Sequence, residues 1–516
     1  MKKALVVFLM LALVSSVFAA EPVADVKIAE FSGNASVQWG VNLDSGKTGF
    51  LNAYEVVFKL NLLNNGTKST TGDGVWGELV LKTDGDTFIG WKNTSYGDTA
   101  TKSGEGMTSD LKLKTFVDVA KIHLGPAYIG IKSGDTRTGS LKMDAAIRSA
   151  DNDNAFIPVV SNEDNKTYNY LHDVGPKGFS QGIVAGFAND MFGIDVDLRS
   201  YEATTQYSNA YAFAAEAEFK GVENLSVKAG ASYNFSDKYY NDDTSSVKTS
   251  LANVMGYSAS AGYKLALNDT YYIRPQVGFT GTNSTQTVAS VETKSNSMDM
   301  AFGVLFGWGE IGMDKNADVP FLDNDGAKKV SPGVSIHAAM PLAAKTGDTD
   351  YLKDGRAIVL RPAFFSGEIV KNLTVAALAD IVLPVGYDNN PDPMFGMVFG
   401  VKYAIAVDAI TVTPNFGVRF ANKEYAAYAK AVVAENNESL ITRDWYDGTT
   451  EKNAAINGSV DGIMNIKAGV DVAGLISNTT LSLIYESANL QNSKDYTGTA
   501  NPVKLGTLNL KAKIAL

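Results

Sequence analysis

Apolar and polar residues alternate with a period of two along most of the chain. In the stretch Leu225–Phe235, Leu, Val, Ala, Tyr and Phe fill the odd positions, and Ser, Lys and Asn fill all but one of the even positions. Successive side chains of a β-strand point to opposite faces, so this pattern predicts a strand with one apolar and one polar face. The same alternation occurs in residues 31–43, 54–62, 255–267, 298–308, 373–383, 395–405, 410–420 and 508–516. The chain is therefore predicted to be all-β.

The length of these runs distinguishes between two kinds of β-protein. Most runs hold roughly ten residues or more, whereas strands of soluble sandwiches most often have about 5–6. A tilted strand that crosses an outer membrane needs about 9–11 residues. After residue 14, no apolar stretch approaches the ~20 residues of a membrane helix. We therefore predict a large antiparallel transmembrane β-barrel.

The connections between the runs fall into two classes. Short ones are Asp84–Asp86, Asn189–Met191, Gly221–Asn224, Asn268–Thr270, Val407–Ala409 and Gly474–Asn478. Long polar ones are Asn93–Thr108, Ser133–Ser180, Ser236–Ser250, Gly281–Ser297 and Ala421–Asp461. Outer-membrane barrels combine tight periplasmic turns with longer extracellular loops, so this sorting favours the same fold.

Counted along the whole chain, such runs predict about 21 strands. This total conflicts with the even number expected of a single-chain bacterial barrel. One run must therefore be miscounted, and the prediction is 20 or 22 strands. The connection Gly309–Pro332 is also too long for the periplasmic side on which the alternation places it. A barrel of about 20 strands has a lumen wider than its side chains fill, so water occupies it unless a loop such as Ser133–Ser180 folds inward.

The first 19 residues have the features of a secretory signal peptide. Lys2 and Lys3 precede the apolar run Ala4–Val14, and cleavage after Ala19 is favoured because it keeps bulky Phe18 out of the −3 position. The predicted organisation is a signal peptide at residues 1–19 and an outer-membrane barrel at residues 20–516. Export and the strand pattern together predict a location in the outer membrane.

Tyr and Trp residues cluster near the ends of the runs, at positions 39, 54, 91, 201, 211, 263, 271, 272, 308, 387 and 485. An amphipathic ring is stable at the headgroup level, so we interpret these residues as the aromatic girdles of a barrel. The alternative is the ordinary preference of Tyr and Trp for any strand.

Composition excludes several kinds of activity. The 516 residues include no Cys and three His, which excludes a thiolate zinc site and a cysteine nucleophile. The formal net charge of −11 argues against a nucleic-acid partner, which needs a basic face. His123, His172 and His337 are not at metal-ligand spacing, and the acidic segments Asp151–Asn154 and Asp323–Gly326 lack the closing Glu of a calcium loop. No enzyme, no cofactor and no catalytic, cofactor-binding or metal-binding residues are predicted.

Segments near both ends of the chain resemble the treponemal major outer sheath protein family. The N-terminal match comprises Phe31–Leu43, Gly46–Tyr54, Leu60–Lys68 and Gly74–Lys82, and the C-terminal match comprises Lys467–Asp471 and Gly506–Leu516. The family contains spirochaete outer-membrane porins and adhesins, including the treponemal repeat (Tpr) proteins. The resemblance therefore implies a porin and surface antigen.

The resemblance also implies an assembly and two alternative topologies. The implied assembly is a homotrimer. One topology is a full-length barrel. The other places an N-terminal part, about residues 30–220, in the periplasm and makes the barrel from about residues 250–516.

Two functions remain open. The first is a porin whose water-filled channel passes ions and other small hydrophilic solutes. The predicted inward rows supply Glu216, Glu218, Lys228, Asp299, Lys402, Arg419, Lys467 and Asp471. Because both signs occur, we predict weak selectivity, with a modest preference for cations from the negative net charge. The second is an adhesin or antigen whose long loops bind extracellular macromolecules on a plugged barrel. Outer-membrane lipid is the expected surrounding in both cases.

Overall fold

A computed structural model provides the structure of the chain. It describes residues 29–43, 48–63, 75–95, 103–133, 179–201, 210–236, 238–240, 248–250, 253–288, 291–308, 315–316, 319–321, 329–330, 332–350, 352–353, 355–367, 369–386, 392–422, 463–487, 490–491 and 505–515. The predicted signal peptide lies outside the described residues, as do most residues of the predicted loops Ser133–Ser180 and Ala421–Asp461.

Twenty long strands form the wall of the molecule. They are β1 Ala29–Asn42, β2 Thr48–Leu63, β3 Val75–Ser95, β4 Ser103–Leu124, β5 Ala127–Ser133, β6 Phe179–Ala188, β7 Phe192–Tyr201, β8 Ala210–Phe219, β9 Leu225–Ser236, β10 Asn253–Tyr263, β11 Tyr271–Val288, β12 Val291–Trp308, β13 Gly333–Thr346, β14 Arg356–Phe365, β15 Leu373–Val385, β16 Met394–Tyr403, β17 Ile410–Ala421, β18 Ile463–Ala473, β19 Thr479–Glu486 and β20 Thr507–Ala515. Shorter strands extend this sheet at Lys238–Tyr240, Lys248–Ser250, Leu265–Ala266, Thr349–Asp350 and Ile405–Val407, and Lys315–Asn316 pairs separately with Lys329–Val330.

The wall closes on itself. Each strand is antiparallel to its neighbours along the chain, and β1 also pairs with β20, so that Val41 lies opposite Leu508. The result is a closed barrel of 20 strands. The predicted all-β antiparallel barrel is confirmed, and of the two predicted totals 20 is correct.

The two ends of the barrel differ in their connections. Even-numbered strands lead to the next strand mostly through short turns, for example at residues 125–126, 189–191, 220–224 and 474–478. We call this the turn end; β1 begins there and β20 ends there. Odd-numbered strands lead through the opposite end, the loop end, which carries the long connections after β5 and β17. Apart from Asp84–Asp86, the predicted short turns all lie at the turn end.

The predicted turn Asp84–Asp86 is wrong, because these residues lie in the middle of β3. Gly85 is opposite Tyr54 of β2 and Leu113 of β4, so this segment is paired on both sides. Neighbouring strands thus satisfy its backbone groups, which outweighs the local preference of Asp-Gly for a turn. The runs before and after Asp84–Asp86 form the single strand β3 of 21 residues, and counting them as one removes the odd strand from the predicted total.

The predicted loops Asn93–Thr108 and Gly281–Ser297 are shorter than expected. β11 and β12 stay paired as far as Val288 and Val291, and β3 and β4 stay paired to the last residue of β3. These extensions are rich in Ser, Thr and Asn on both faces, which hides the strand pattern in the sequence. Hydrogen bonds between side chains on facing strands support the pairing there.

Apolar and polar residues are inverted relative to a soluble protein. Large apolar side chains such as Ile131, Ile183 and Phe302 are exposed on the outer face of the wall. Polar side chains such as Asp197 and Asn465 are buried on the inner face. This is the arrangement of a barrel whose outer face contacts lipid. Separately, the described residues contain no helix with the length and apolar character needed to span a bilayer.

Aromatic side chains face outward near the turn end. Tyr263, Tyr271 and Tyr403 are exposed there, and the rings of Tyr271 and Phe306 stack with their centroids 5.8 Å apart. These positions fit the girdle interpretation. Tyr272 does not, because it follows Tyr271 on the strand, points into the barrel and is fully buried.

Adjacent positions on β9 test the assignment of the two faces. Ala231 is exposed on the outer face near mid-strand, whereas Ser232 lies on the inner face beside Ala214 and Gly256. We expect Ala231→Arg to lower the free energy of unfolding by about 2–4 kcal/mol, because arginine would face hydrocarbon. Ser232→Arg should cost less, because Ser232 lies on the polar inner face between two small neighbours. Urea unfolding in lipid vesicles measures both, and equal losses would contradict the assignment.

Candidate functional site in the barrel lumen

The inner face of the wall carries charged side chains of both signs. All the charged residues that the sequence predicted to point inward lie on the inner rows of their strands. Some are paired across strands: Lys228 Nζ is 3.5 Å from the Glu218 carboxylate, and the Asn415 amide donates to Asp471 at 3.1 Å. Solutes in the lumen would therefore meet a polar surface whose charges are partly compensated.

Ion pairs also join β2 to β3 on the inner face. Lys59 Nζ is 3.0 Å from the Glu78 carboxylate, and Lys82 Nζ is 2.5 Å from that of Glu55. These side chains are partly exposed, so water reaches them and each pair contributes little to stability. Their effect is to keep this part of the lumen polar without giving it one dominant sign.

A buried ion pair connects β14 to β15. The Arg361 guanidinium donates to both carboxylate oxygens of Asp380, one of them at 2.8 Å, and Asp380 has no exposed surface. His337 of β13 lies opposite Arg361 and contacts Gln276 Oε1 through Nε2 at 3.3 Å. These polar groups face inward but are covered, so this sector of the wall is not open to bulk water.

Acidic and basic residues concentrate on different arcs of the lumen. The inner rows of β7 and β8 carry Asp195, Asp197, Glu216 and Glu218, and those of β16–β18 carry Lys402, Arg419 and Lys467. In a ring of 20 strands, arcs about ten strands apart face each other across the lumen. Arg199 and Lys228 reduce the imbalance on the first arc, and Asp471 reduces it on the second. Charges of opposite sign therefore face each other across the lumen.

One connection at the turn end enters the barrel. Between β12 and β13, residues Val319–Phe321 lie against the inner face of the wall. Val319 is fully buried in an apolar cluster with Phe365, Ala376 and Val398. Phe321 also packs against this cluster. The segment therefore occupies lumen space that strand geometry alone would leave to water.

Two glycines form the seat of this segment. A Cβ at Gly400 of β16 would lie 2.6 Å from Val319 Cγ2, and a Cβ at Gly417 of β17 would lie 2.7 Å from Pro320 Cβ. Gly400 and Gly417 are register partners, so two adjacent strands lack side chains at the same place. Any larger residue at either position would displace the segment from the wall.

Two cations flank the ring of Phe321. Arg419 Cζ is 4.9 Å and Lys467 Nζ is 5.8 Å from the ring centroid, distances at which the negative face of a ring attracts a cation. Arg419 is positioned by Asn465, whose Oδ1 accepts hydrogen bonds from Nε and Nη2 at 3.3 and 3.1 Å. Val398, which packs with Val319, is the register partner of Arg419. The segment therefore crosses from β16 toward β18 along the inner face at one level of the strand register.

Sequence reasoning did not single out this segment. The predicted inward loop, Ser133–Ser180, lies almost entirely outside the described residues. The available signal was the length of Gly309–Pro332, which exceeds that of a periplasmic turn. Part of this extra length is the segment Val319–Phe321, which reaches the inner wall.

The two described histidines lie on the inner face but do not meet. His123 stacks on Trp76 with ring centroids 3.8 Å apart and lies 3.7 Å from Glu78, whereas His337 is on the far strand β13. The remaining candidates, namely His172 and residues 151–154 and 323–326, lie outside the described residues. Within the described ranges, no group of three or more His, Cys, Asp or Glu side chains is placed to hold a metal ion.

Two curated proteins match the chain from end to end. The major surface protein MspTL of Treponema lecithinolyticum is 28% identical over 627 aligned positions, and the major outer membrane protein MspA of Treponema maltophilum is 26% identical over 610. Each match covers 100% of both chains. The chain is therefore similar to treponemal major surface and outer membrane proteins along its whole length. The family resemblance predicted from the sequence is thus confirmed, although no family model matches the chain.

Several solved structures align with the chain over most of its length. OprD and OccK7 of Pseudomonas aeruginosa and OccAB4 of Acinetobacter baumannii are 8%, 10% and 8% identical to it, with TM-scores of 0.35, 0.33 and 0.35. The alignments cover 95–96% of this chain and 97–98% of theirs. The barrel architecture itself rests on the strand pairing of this chain.

The location of the protein follows from the family and the wall. Its treponemal relatives are major surface and outer membrane proteins, and its own barrel is apolar outside and polar inside. The protein is therefore an outer-membrane protein, as predicted, and lipid surrounds the wall. At this level its function is that of a porin-like barrel or surface protein.

Proposed function

We propose that the protein is a porin that passes small hydrophilic solutes through its lumen. The observation that carries this proposal is the closed 20-strand wall with a polar, charge-bearing inner face. Barrels of about 16–18 strands already leave an aqueous channel, so this wall encloses room for one beside Val319–Phe321. The fold and the treponemal relatives point to a channel or surface protein rather than an enzyme.

We also propose that residues 20–516 form one barrel after removal of residues 1–19 as a signal peptide. In support, strands from both halves of the chain belong to one sheet, and β1 contacts β20 through Gln38 Nε2 and Asn509 Oδ1, 3.3 Å apart. A periplasmic part made of residues 30–220 would remove β1–β8 from this wall. In the proposed orientation the turn end faces the periplasm and the loop end faces outward.

Single-channel recording of refolded protein in planar bilayers tests the channel. We expect stepwise conductance with a weak preference for cations, because the net charge of −11 raises the local cation concentration. The preference should fade toward 1 M salt, where the screening length falls to about 3 Å. Reversal potentials across KCl gradients at low and high salt measure this effect.

Boiled protein, which has lost the barrel, is the control for steps caused by detergent. Folded protein that gives no conductance steps would overturn the channel proposal. A strong preference for anions at low salt would contradict the predicted selectivity and leave the channel itself intact.

A second role, as a surface antigen or adhesin, is compatible with the channel. Its support is the name of the relative MspTL, a major surface protein, and the long connections at the loop end after β5 and β17. These connections would carry any contact with an extracellular macromolecule. Protease treatment of intact cells tests the surface role, and uncleaved protein would count against it.

The family resemblance also leads us to propose a homotrimer. Chemical cross-linking of intact cells tests the trimer, and monomers alone would count against it.

A further inference from the structure

We infer that Val319–Phe321 is the constriction element of the pore and that Phe321 sets the size limit for solutes. The inference rests on the proposed channel function, because a size limit has meaning only in a conducting pore. It adds to that function the segment that narrows the lumen and the residue that limits the size of solutes.

The segment is built into the wall through three different kinds of contact. Val319 has no exposed surface and packs into the apolar cluster described above. Pro320 lies over Gly417, where a Cβ would collide with it. Phe321 is flanked by Arg419 and Lys467. Since apolar packing, close backbone approach and cation–ring attraction all hold the same three residues, the segment is a fixed part of the lumen.

The position of Phe321 makes it the obstacle for a passing solute. Its ring lies on the inner face of the wall beside Arg419 and Lys467, so we expect a solute that crosses the barrel to pass it. The facing arc on β7 and β8 carries acidic side chains on its inner rows and has open space beside Gly193, where a Cβ would meet nothing within 4 Å. The open cross-section therefore lies between the Phe321 ring and this opposite arc.

Thiol labelling tests the docking without requiring conduction. Because the chain has no cysteine, one introduced thiol is the only reactive one. Val319→Cys should react slowly with a water-soluble maleimide in folded protein, whereas Ser260→Cys, on the inner row of β10, should react readily. Adding Gly417→Val should speed the reaction of Val319→Cys about tenfold or more, the ratio given by a loss of about 1.4 kcal/mol of docking free energy. Gly193→Val, in open space, should leave the rate unchanged.

Conductance and liposome swelling test the size limit. Phe321→Ala should raise the single-channel conductance and shift the swelling limit to larger sugars, because the ring no longer projects into the lumen. Gly417→Val should do the same by displacing the whole segment. Phe416→Ala is the matched control, since Phe416 lies on the lipid-facing row of β17 and its loss leaves the lumen unchanged.

The outcomes separate the inference from the channel proposal. A conducting wild type with unchanged conductance and size limit in Phe321→Ala would overturn the inference and leave the channel standing. Fast labelling of Val319→Cys with or without Gly417→Val would also overturn it, because the segment would not be docked. A silent wild type with a conducting Phe321→Ala would support the constriction and overturn an open wild-type channel. Silence from every folded variant would overturn both.

Discussion

Asp380→Ala is expected to lower the free energy of unfolding by about 3–5 kcal/mol, the range for removing one partner of a buried ion pair. Asp380 has no exposed surface, and both of its oxygens accept hydrogen bonds from Arg361. Alanine would remove the Asp380 carboxylate from beside the Arg361 guanidinium on a covered part of the inner face. Urea unfolding of the refolded barrel in lipid vesicles measures the loss.

Asp350→Ala is the matched control for this change. Asp350 pairs with Lys345 at 3.1 Å on an exposed extension of the wall, so its loss should change stability little. The double variant Arg361→Met with Asp380→Leu should lose much less than Asp380→Ala, because it removes both charges of the pair. If Asp380→Ala costs no more than Asp350→Ala, the pair is not covered as described.

A fragment of residues 250–516 is expected not to form a stable barrel. It keeps β10–β20, an odd number of strands, which would place its termini at opposite ends of a closed wall. The outer edges of β10 and β20 would also lose β9 and β1, their partners along nearly their whole length. Unpaired backbone groups in lipid cost several kcal/mol each. The fragment should therefore aggregate and show no heat-modifiable migration in gels.

Deletion of residues 134–178 is the control for loss of chain length, because it removes none of the twenty strands. This variant should keep the heat-modifiable migration of the full chain. A soluble N-terminal part, together with a 250–516 fragment that folds on its own, would instead favour the topology with a periplasmic domain.

The faces of the strands could be predicted because alternation is a local property. In Leu225–Phe235 the parity of a residue was enough to place it inside or outside. Odd–even alternation failed as a guide where neighbouring strands decide whether a segment is itself a strand. Asp84–Asp86 has the composition of a turn, yet pairing with β2 and β4 makes it part of a strand. The polar ends of β11 and β12 carry no apolar face, so only pairing with neighbouring strands identifies them as strands.

The lumen could be predicted only in part, for a related reason. The inward charges followed from parity on each strand alone. The seat of Val319–Phe321 combines glycines on β16 and β17 with a tripeptide from a connection about 80 residues earlier in the chain. The sequence does not show that Gly400 and Gly417 lie side by side, because this depends on the register of β16 and β17. The excess length of Gly309–Pro332 indicated that something was unusual, but not where the segment would lie.

The pairing of β1 with β20 has a consequence for the order of folding. All other neighbours in the wall are consecutive along the chain, so the sheet can grow by adding one hairpin after another, each with a short loop to order. The last junction joins Gln38 to Asn509, 471 residues apart. For an unstructured chain, ring closure over that distance costs about 5 kcal/mol in entropy, from the logarithmic dependence on loop length. Hairpins formed earlier shorten the effective loop, so a curved ribbon should assemble first and close in one late step.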